Sequence, residues 1–156
     1  MPVKSIPDDY PQVIPYLTID GASAAIDFYS KVFGATERMR MDGPDGKIAH
    51  AEIEIGRGMV MLSDEFPEMG GKSPKTVGGS SVTVMAYVED VDDAFRRALD
   101  NGAKQVRPVE NQFYGDRSGS FEDPFGHVWY IATHVEDISD EEMAKRAAEA
   151  MGGGSS

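Results

Sequence analysis

The chain predicts an α+β fold in which two βαβββ modules form one domain, and three observations carry that prediction. A helical stripe of Ala22, Ala25, Ile26 and Tyr29 returns as Val91, Ala94, Phe95 and Ala98 at a constant offset of 69 residues. A glycine closes each stripe, in "FGA" at 33–35 and "NGA" at 101–103, with the offset one residue shorter. Three short β-rich runs, separated by turn-forming residues, follow each cap. Helix face, cap and strand count repeating together mark an internal duplication.

In order along the chain, residues 1–12 carry three prolines and read as an extended lead-in. "QVIPYLTI" is rich in β-branched and aromatic residues and opens module one, which spans 13–63 of a single domain at 13–138. From Ala22 the period becomes helical, with Val32 and Phe33 extending the apolar face and Gly34 as the cap. Strands are expected near 35–42, 47–55 and 58–63, joined by the turns "GPDG" and "GRG". Residues 64–80 are glycine-rich and aperiodic, and read either as a linker or as a flap over a pocket. Module two, 81–134, opens with "VTVMAYV", continues with the second helix, and places strands near 104–110, 116–122 and 127–133. Ser139 and Glu142 suggest a capping box for a C-terminal helix at 139–151, with Met143, Ala147 and Met151 as a thin apolar stripe. "GGGSS", 152–156, reads as flexible linker without function.

Strand alternation decides which polar residues can act together. In "HVWYIATH", Val128, Tyr130, Ala132 and His134 share one face and His127, Trp129, Ile131 and Thr133 the other, so the two histidines cannot bind one metal on a regular strand. In "KIAHAEIEIG", His50, Glu52 and Glu54 share the polar face. A His-x-Glu pair there can bind a divalent metal or act as general acid and base; it can equally be a solvated strand face. "NQFYGDRSG", 111–119, clusters Gln112, Tyr114 and Arg117, which would fix an anionic or carbonyl-bearing ligand or simply form a turn. No Ser-His-Asp order, phosphate loop or dinucleotide fingerprint is present.

Composition narrows the classes. A net charge of −12 offers no basic surplus for nucleic acid or anionic membranes. The absence of cysteine excludes disulfides, zinc fingers and thiol catalysis. The amino-terminal residues lack an apolar signal region and no apolar run would span a bilayer, so a cytoplasmic protein is expected.

The stretches "IPYLTIDGASAAIDFYSKVFGA", "AYVEDVDDAFRRALDNGA" and "YGDRSGSFEDPFGHVWYIATHVED" together resemble the vicinal oxygen chelate superfamily, nearest its PhnB-like, glyoxalase/bleomycin-resistance branch. The resemblance covers about residues 10–138. It implies a curved eight-stranded mixed sheet around a cleft, helices on the outer face, and a homodimer. It also implies metal ligands on the first and last strand of each module. The repeat places those slots near Ile14 and Thr83 and at Met61 and Tyr130, and none carries a charged chelator. The expectation is therefore a metal-free cleft without cofactor, lined by Tyr16, Met61, Thr83, Met85, Tyr87 and Tyr130 with Gln112, Tyr114 and Arg117 as polar anchors. Such a cleft suits a small aromatic or apolar ligand. The alternative is a lyase, isomerase or cyclase using His50 and Glu52 for proton transfer or as a non-standard site for one divalent metal.

Overall fold

The structure, a computed structural model, describes residues 2–152. Module one comprises β1 (Tyr16–Ile19), α1 (Ala22–Phe33), β2 (Thr36–Asp42), β3 (Ile48–Ile55) and β4 (Gly58–Asp64). After a short α2 (Pro74–Val77), module two comprises β5 (Thr83–Tyr87), α3 (Val91–Asp100), β6 (Lys104–Asn111), β7 (Asp116–Glu122) and β8 (Val128–His134). Helix α4 (Asp140–Gly152) follows. The eight strands divide into two four-stranded mixed sheets, ordered β1-β4-β3-β2 and β5-β8-β7-β6. In each, the first strand runs parallel to the last and the remaining pairs are antiparallel.

Register reproduces the duplication. Tyr16 lies opposite Met61 in module one, and Met85 opposite Tyr130 in module two, at the 69-residue offset. Across the third strands the offset is 68, because Glu52 faces Met61 where Ser120 faces Tyr130. The longer "DPFG" turn restores the missing residue. The way each helix begins repeats as well. Asp64 accepts hydrogen bonds from the N–H groups of Gly21 and Ala22 at 2.9 Å each. The equivalent Thr133 accepts from Val91 N–H at 2.9 Å. Each side chain satisfies amides that a helix start otherwise leaves unpaired.

The helix-bearing sides of both sheets share one core. Helices α1 and α3 pack together, and the apolar stripe of α1 crosses into module two: Phe33 and Tyr29 meet Trp129 with ring centroids 4.8 and 5.2 Å apart. Phe28 meets Phe121 at 6.2 Å. Leu17, Ile53, Leu62, Trp129 and Ile131 close this interior. Asp123 of the "DPFG" turn is buried and accepts from Tyr29 Oη (2.5 Å), Trp129 Nε1 (3.0 Å) and the N–H groups of Phe125 and His127. With the helices between the modules, the helix-free faces remain open: Tyr16 is 49% exposed, Met85 42% and Tyr87 61%.

Several elements depart from the sequence expectation for local reasons. Strand β1 starts at Tyr16 rather than within "QVIP", since Pro15 has no N–H to give a ladder; Ile14 therefore lies outside it. His127 precedes β8, and its Nε2 meets the Thr18 carbonyl of module one at 3.0 Å. The 64–80 connection is built rather than aperiodic: a 3₁₀ turn at Pro67–Met69 leads into α2, and the Glu65 carboxylate accepts from Ser73 N–H (2.9 Å) and Thr76 Oγ1 (2.7 Å). Ser139 Oγ accepts from Glu142 N–H at 3.1 Å, as a cap should. The reciprocal half of the capping box does not form, because the Glu142 carboxylate takes a charge-assisted bond from Arg146 Nε at 3.0 Å, one turn further on. The expected tail at 152–156 falls, after Gly152, outside the described residues.

Candidate functional site

The open face of module one collects Tyr16 (β1), Met61 (β4), His50 and Glu52 (β3), and Met39 and Met41 (β2), all on one side by strand parity. A hydrogen-bonded line crosses it. Tyr16 Oη lies 2.9 Å from His50 Nδ1, and His50 Nε2 lies 2.9 Å from Glu52 Oε2. Tyr10 Oη donates to the other carboxylate oxygen at 2.8 Å. Glu52 is buried. The His50 hydrogen bond holds its carboxyl below the ordinary carboxylate range; burial opposes this and the Tyr10 bond adds to it. In the tautomer that donates Nε2–H to the carboxylate, Nδ1 is the nitrogen that can accept the Tyr16 hydroxyl proton.

Tyr10 belongs to the lead-in, which lies across this face instead of trailing away. The Arg38 guanidinium stacks 4.4 Å from the Tyr10 ring centroid and donates to Asp9 Oδ2 at 2.9 Å. Between lead-in and sheet is a cavity of about 500 Å³ lined by Ile6, Pro7, Tyr10, Ile14, Glu52 and Met61.

Module two presents Thr83, Met85 and Tyr87 on β5, Tyr130 and His134 on β8, and Asp116, Ser118 and Ser120 on β7. Tyr and Met have exchanged strands relative to module one. Buried Asp116 accepts from Tyr87 Oη at 2.8 Å and pairs with His134 Nδ1 at 2.8 Å. His134 Nε2 meets Asp137 at 2.7 Å. Two flanking carboxylates, Asp116 first, raise the His134 pKa, and the Asp116 hydrogen bond raises that of Tyr87. Tyr130 donates to Ser118 Oγ at 2.7 Å and also meets the Tyr114 hydroxyl. Burial, first of all, pushes the Tyr130 phenol up to about 12.

Of the residues expected to line a cleft, Tyr16 and Met61 meet on one face and Thr83, Met85, Tyr87, Tyr114 and Tyr130 gather on the other. Gln112 sits at the β6–β7 turn, its side chain 3.4 Å from the Glu110 carbonyl. Arg117 is not brought to the cleft. It shares the helix side of β7 with Phe121 and donates to both carboxylate oxygens of Asp92 in α3 at 2.9 Å. Alternation from Phe121 already placed it there.

Sequence reasoning missed Tyr10 and Asp116. Strand parity with Ser118 and Ser120 carried a signal for Asp116. Nothing periodic in the lead-in pointed to Tyr10.

Four positions test for a chelated metal. Ile14 and Met61 offer alkyl and thioether groups, Thr83 a hydroxyl, and Tyr130 a protonated phenol engaged with Ser118. These donors do not fit a hard divalent ion. At His50 and Glu52, both ring nitrogens already hold protein partners. Among the described residues, no group of three or more His, Asp or Glu is arranged so that it could hold a metal ion.

Comparison with known proteins places this geometry. The family model of the Glyoxalase/Bleomycin resistance protein/Dioxygenase superfamily matches residues 13–131. The uncharacterized protein Rv0887c of Mycobacterium tuberculosis is 46% identical over 136 residues, covering 85% of this chain and 80% of that protein. Among solved structures, TioX from Micromonospora sp. ML1 is 25% identical with a TM-score of 0.62, covering 83% of this chain and 100% of the other. A PhnB protein from Bacillus cereus shares the fold at 15% identity and a TM-score of 0.62, covering 79% of this chain and 99% of that one.

Proposed function

The chain belongs to the Glyoxalase/Bleomycin resistance protein/Dioxygenase superfamily, and on that premise we propose that it binds a small aromatic or apolar organic molecule without a metal. One observation carries the reading. Of the four positions that would grip an ion, the two on the last strands are Met61 and Tyr130, and the register sets each against the other residue type, Tyr16 and Met85. Phenol and thioether side chains hold flat molecules by contact and by a few hydrogen bonds.

The lead-in covers only the Glu52–Met61 part of the module-one face, and Tyr16, Met39, Met41, Met85 and Tyr87 all remain exposed. Exposed apolar area of this kind marks an interaction surface. A second copy, setting the module-two face of one chain against the module-one face of the other, would close two equivalent clefts. Sedimentation equilibrium reads this directly: a dimer is expected, and a monomer at all concentrations would leave each face working alone.

The binding reading is tested by thermal shift with small aromatic compounds, with and without divalent metal and chelator. A ligand at a hundred times its Kd stabilises by about 2.7 kcal/mol, roughly 5–10 °C for a domain of this size. That shift should be indifferent to chelator. Stoichiometric metal in the purified protein, with ligand shifts abolished by its removal, would overturn the reading.

A further inference from the structure

We propose that Tyr16, His50 and Glu52 form a proton-relay catalytic site in which the Tyr16 oxygen is the reacting atom. The inference rests on the reading that this face binds a small molecule, and adds chemistry to it. The three groups stand in the order hydroxyl, imidazole, carboxylate, with both contacts at 2.9 Å. The order runs from outside to inside, since the Tyr16 side chain is about half exposed while Glu52 is buried. The Tyr16 and His50 rings lie 5.5 Å apart, tilted by 32°. Tyr10, on the second oxygen of Glu52, is a positioning residue that fixes the carboxylate toward the imidazole.

The step this permits balances by itself. A bound molecule with a weakly acidic C–H or O–H gives its proton to the Tyr16 oxygen as the Tyr16 proton passes to His50 Nδ1. The substrate is left as its anion, and the imidazolium is stabilised by Glu52 through Nε2–H. Return of the proton to a different atom of the anion isomerises the molecule and restores the relay. No oxidant, reductant or second substrate enters.

Module two supplies the internal control. Tyr87 is the more exposed phenol, yet it donates to the Asp116 carboxylate rather than to a ring nitrogen. Its histidine, His134, is flanked by carboxylates at both nitrogens and offers no acceptor.

An aryl sulfonyl fluoride tests the proposal on the intact protein. The phenol oxygen forms an O–S bond, fluoride leaves, and the phenol proton must go to a base. Labelled tyrosines are assigned by peptide mass spectrometry. Tyr16 should react roughly tenfold or more faster than Tyr87. His50→Gln should remove that advantage without changing the Tyr87 rate, and Glu52→Gln should reduce it severalfold. Equal rates at Tyr16 and Tyr87 in the unaltered protein would overturn the proposal, as would a Tyr16 rate that survives His50→Gln. If His50→Gln does not fold, an unchanged Tyr16 rate in Glu52→Gln overturns it instead. Thermal shift with ligand is a separate measurement, so failure of the relay is distinguishable from failure of binding.

Discussion

His50 and His134 occupy the open faces of two duplicated modules, and their partners make them chemically opposite. His50 stands between a hydroxyl and a carboxylate, a pairing that lets one nitrogen donate and the other accept. His134 stands between two carboxylates, so both nitrogens donate and the charged ring is favoured. One arrangement can take up a proton from a neighbour. The other is biased toward keeping its proton, as a charge partner for Asp116. The β-strand frame is the same; the substitutions on it are not. Where module one has His50 and Glu52 on its third strand, the register of module two places Ser118 and Ser120.

The modules differ in their last hairpin, and breaking that difference should have the largest effect. Asp123→Ala strands the Trp129 N–H and the Tyr29 hydroxyl in the core. At about 1–3 kcal/mol for each unsatisfied buried group, a loss near 3–5 kcal/mol is expected in urea denaturation. The matching position of module one is the apolar Ile55, and its neighbour Glu54 is a half-exposed carboxylate 3.7 Å from Arg38, so Glu54→Ala should change stability by less than about 1 kcal/mol.

The starts of the two long helices come next. Asp64 serves three backbone amides, those of Gly21, Ala22 and Ile48, whereas Thr133 serves Val91 alone and donates to the Val88 carbonyl. Asp64→Ala should therefore cost about 2–4 kcal/mol and Thr133→Val about 1–2 kcal/mol by chemical denaturation. Equal losses would show that the starts of α1 and α3 are energetically equivalent despite the unequal bond count.

The pH dependences should have opposite sign. The Glu52 carboxyl is depressed in the fold, so its stabilisation is complete above the unfolded carboxylate value, about 4.3, and is lost as pH falls through the lower folded value. The His134 pKa is raised, so its stabilisation is complete below the unfolded value, about 6.5, and is lost as pH rises through the folded one. Glu52→Gln should flatten the acid limb of a melting-temperature profile, and His134→Gln the limb above neutrality. The His134 effect is the smaller, because its ring is half exposed. If His134→Gln left the limb above neutrality unchanged, the ring would not be acting as the partner of Asp116.

Much of the fold is written in local pattern. The stripe Ala22, Ala25, Ile26, Tyr29 and its copy 69 residues on have helical period, and caps and turns use residues whose backbone preferences act within a few positions. Strand parity is equally local. It placed Tyr130 with His134 and His50 with Glu52, and the structure keeps both pairs on common faces. Arg117 was assigned to the site by composition of its segment, and the parity of Phe121 overrides that.

Only tertiary structure decided what the polar residues do. Tyr10 reaches Glu52 across 42 positions, and Tyr87 reaches Asp116 across 29. Neither distance is set by any period, since the first depends on where the lead-in is laid over the sheet and the second on β5 and β7 both pairing with β8. A hydrogen bond also needs its angle and its partner's protonation state, which burial and neighbouring charge determine together. Periodicity therefore tells which face a side chain joins. Whether a histidine there takes a proton or keeps one depends on groups brought together only when the chain has closed.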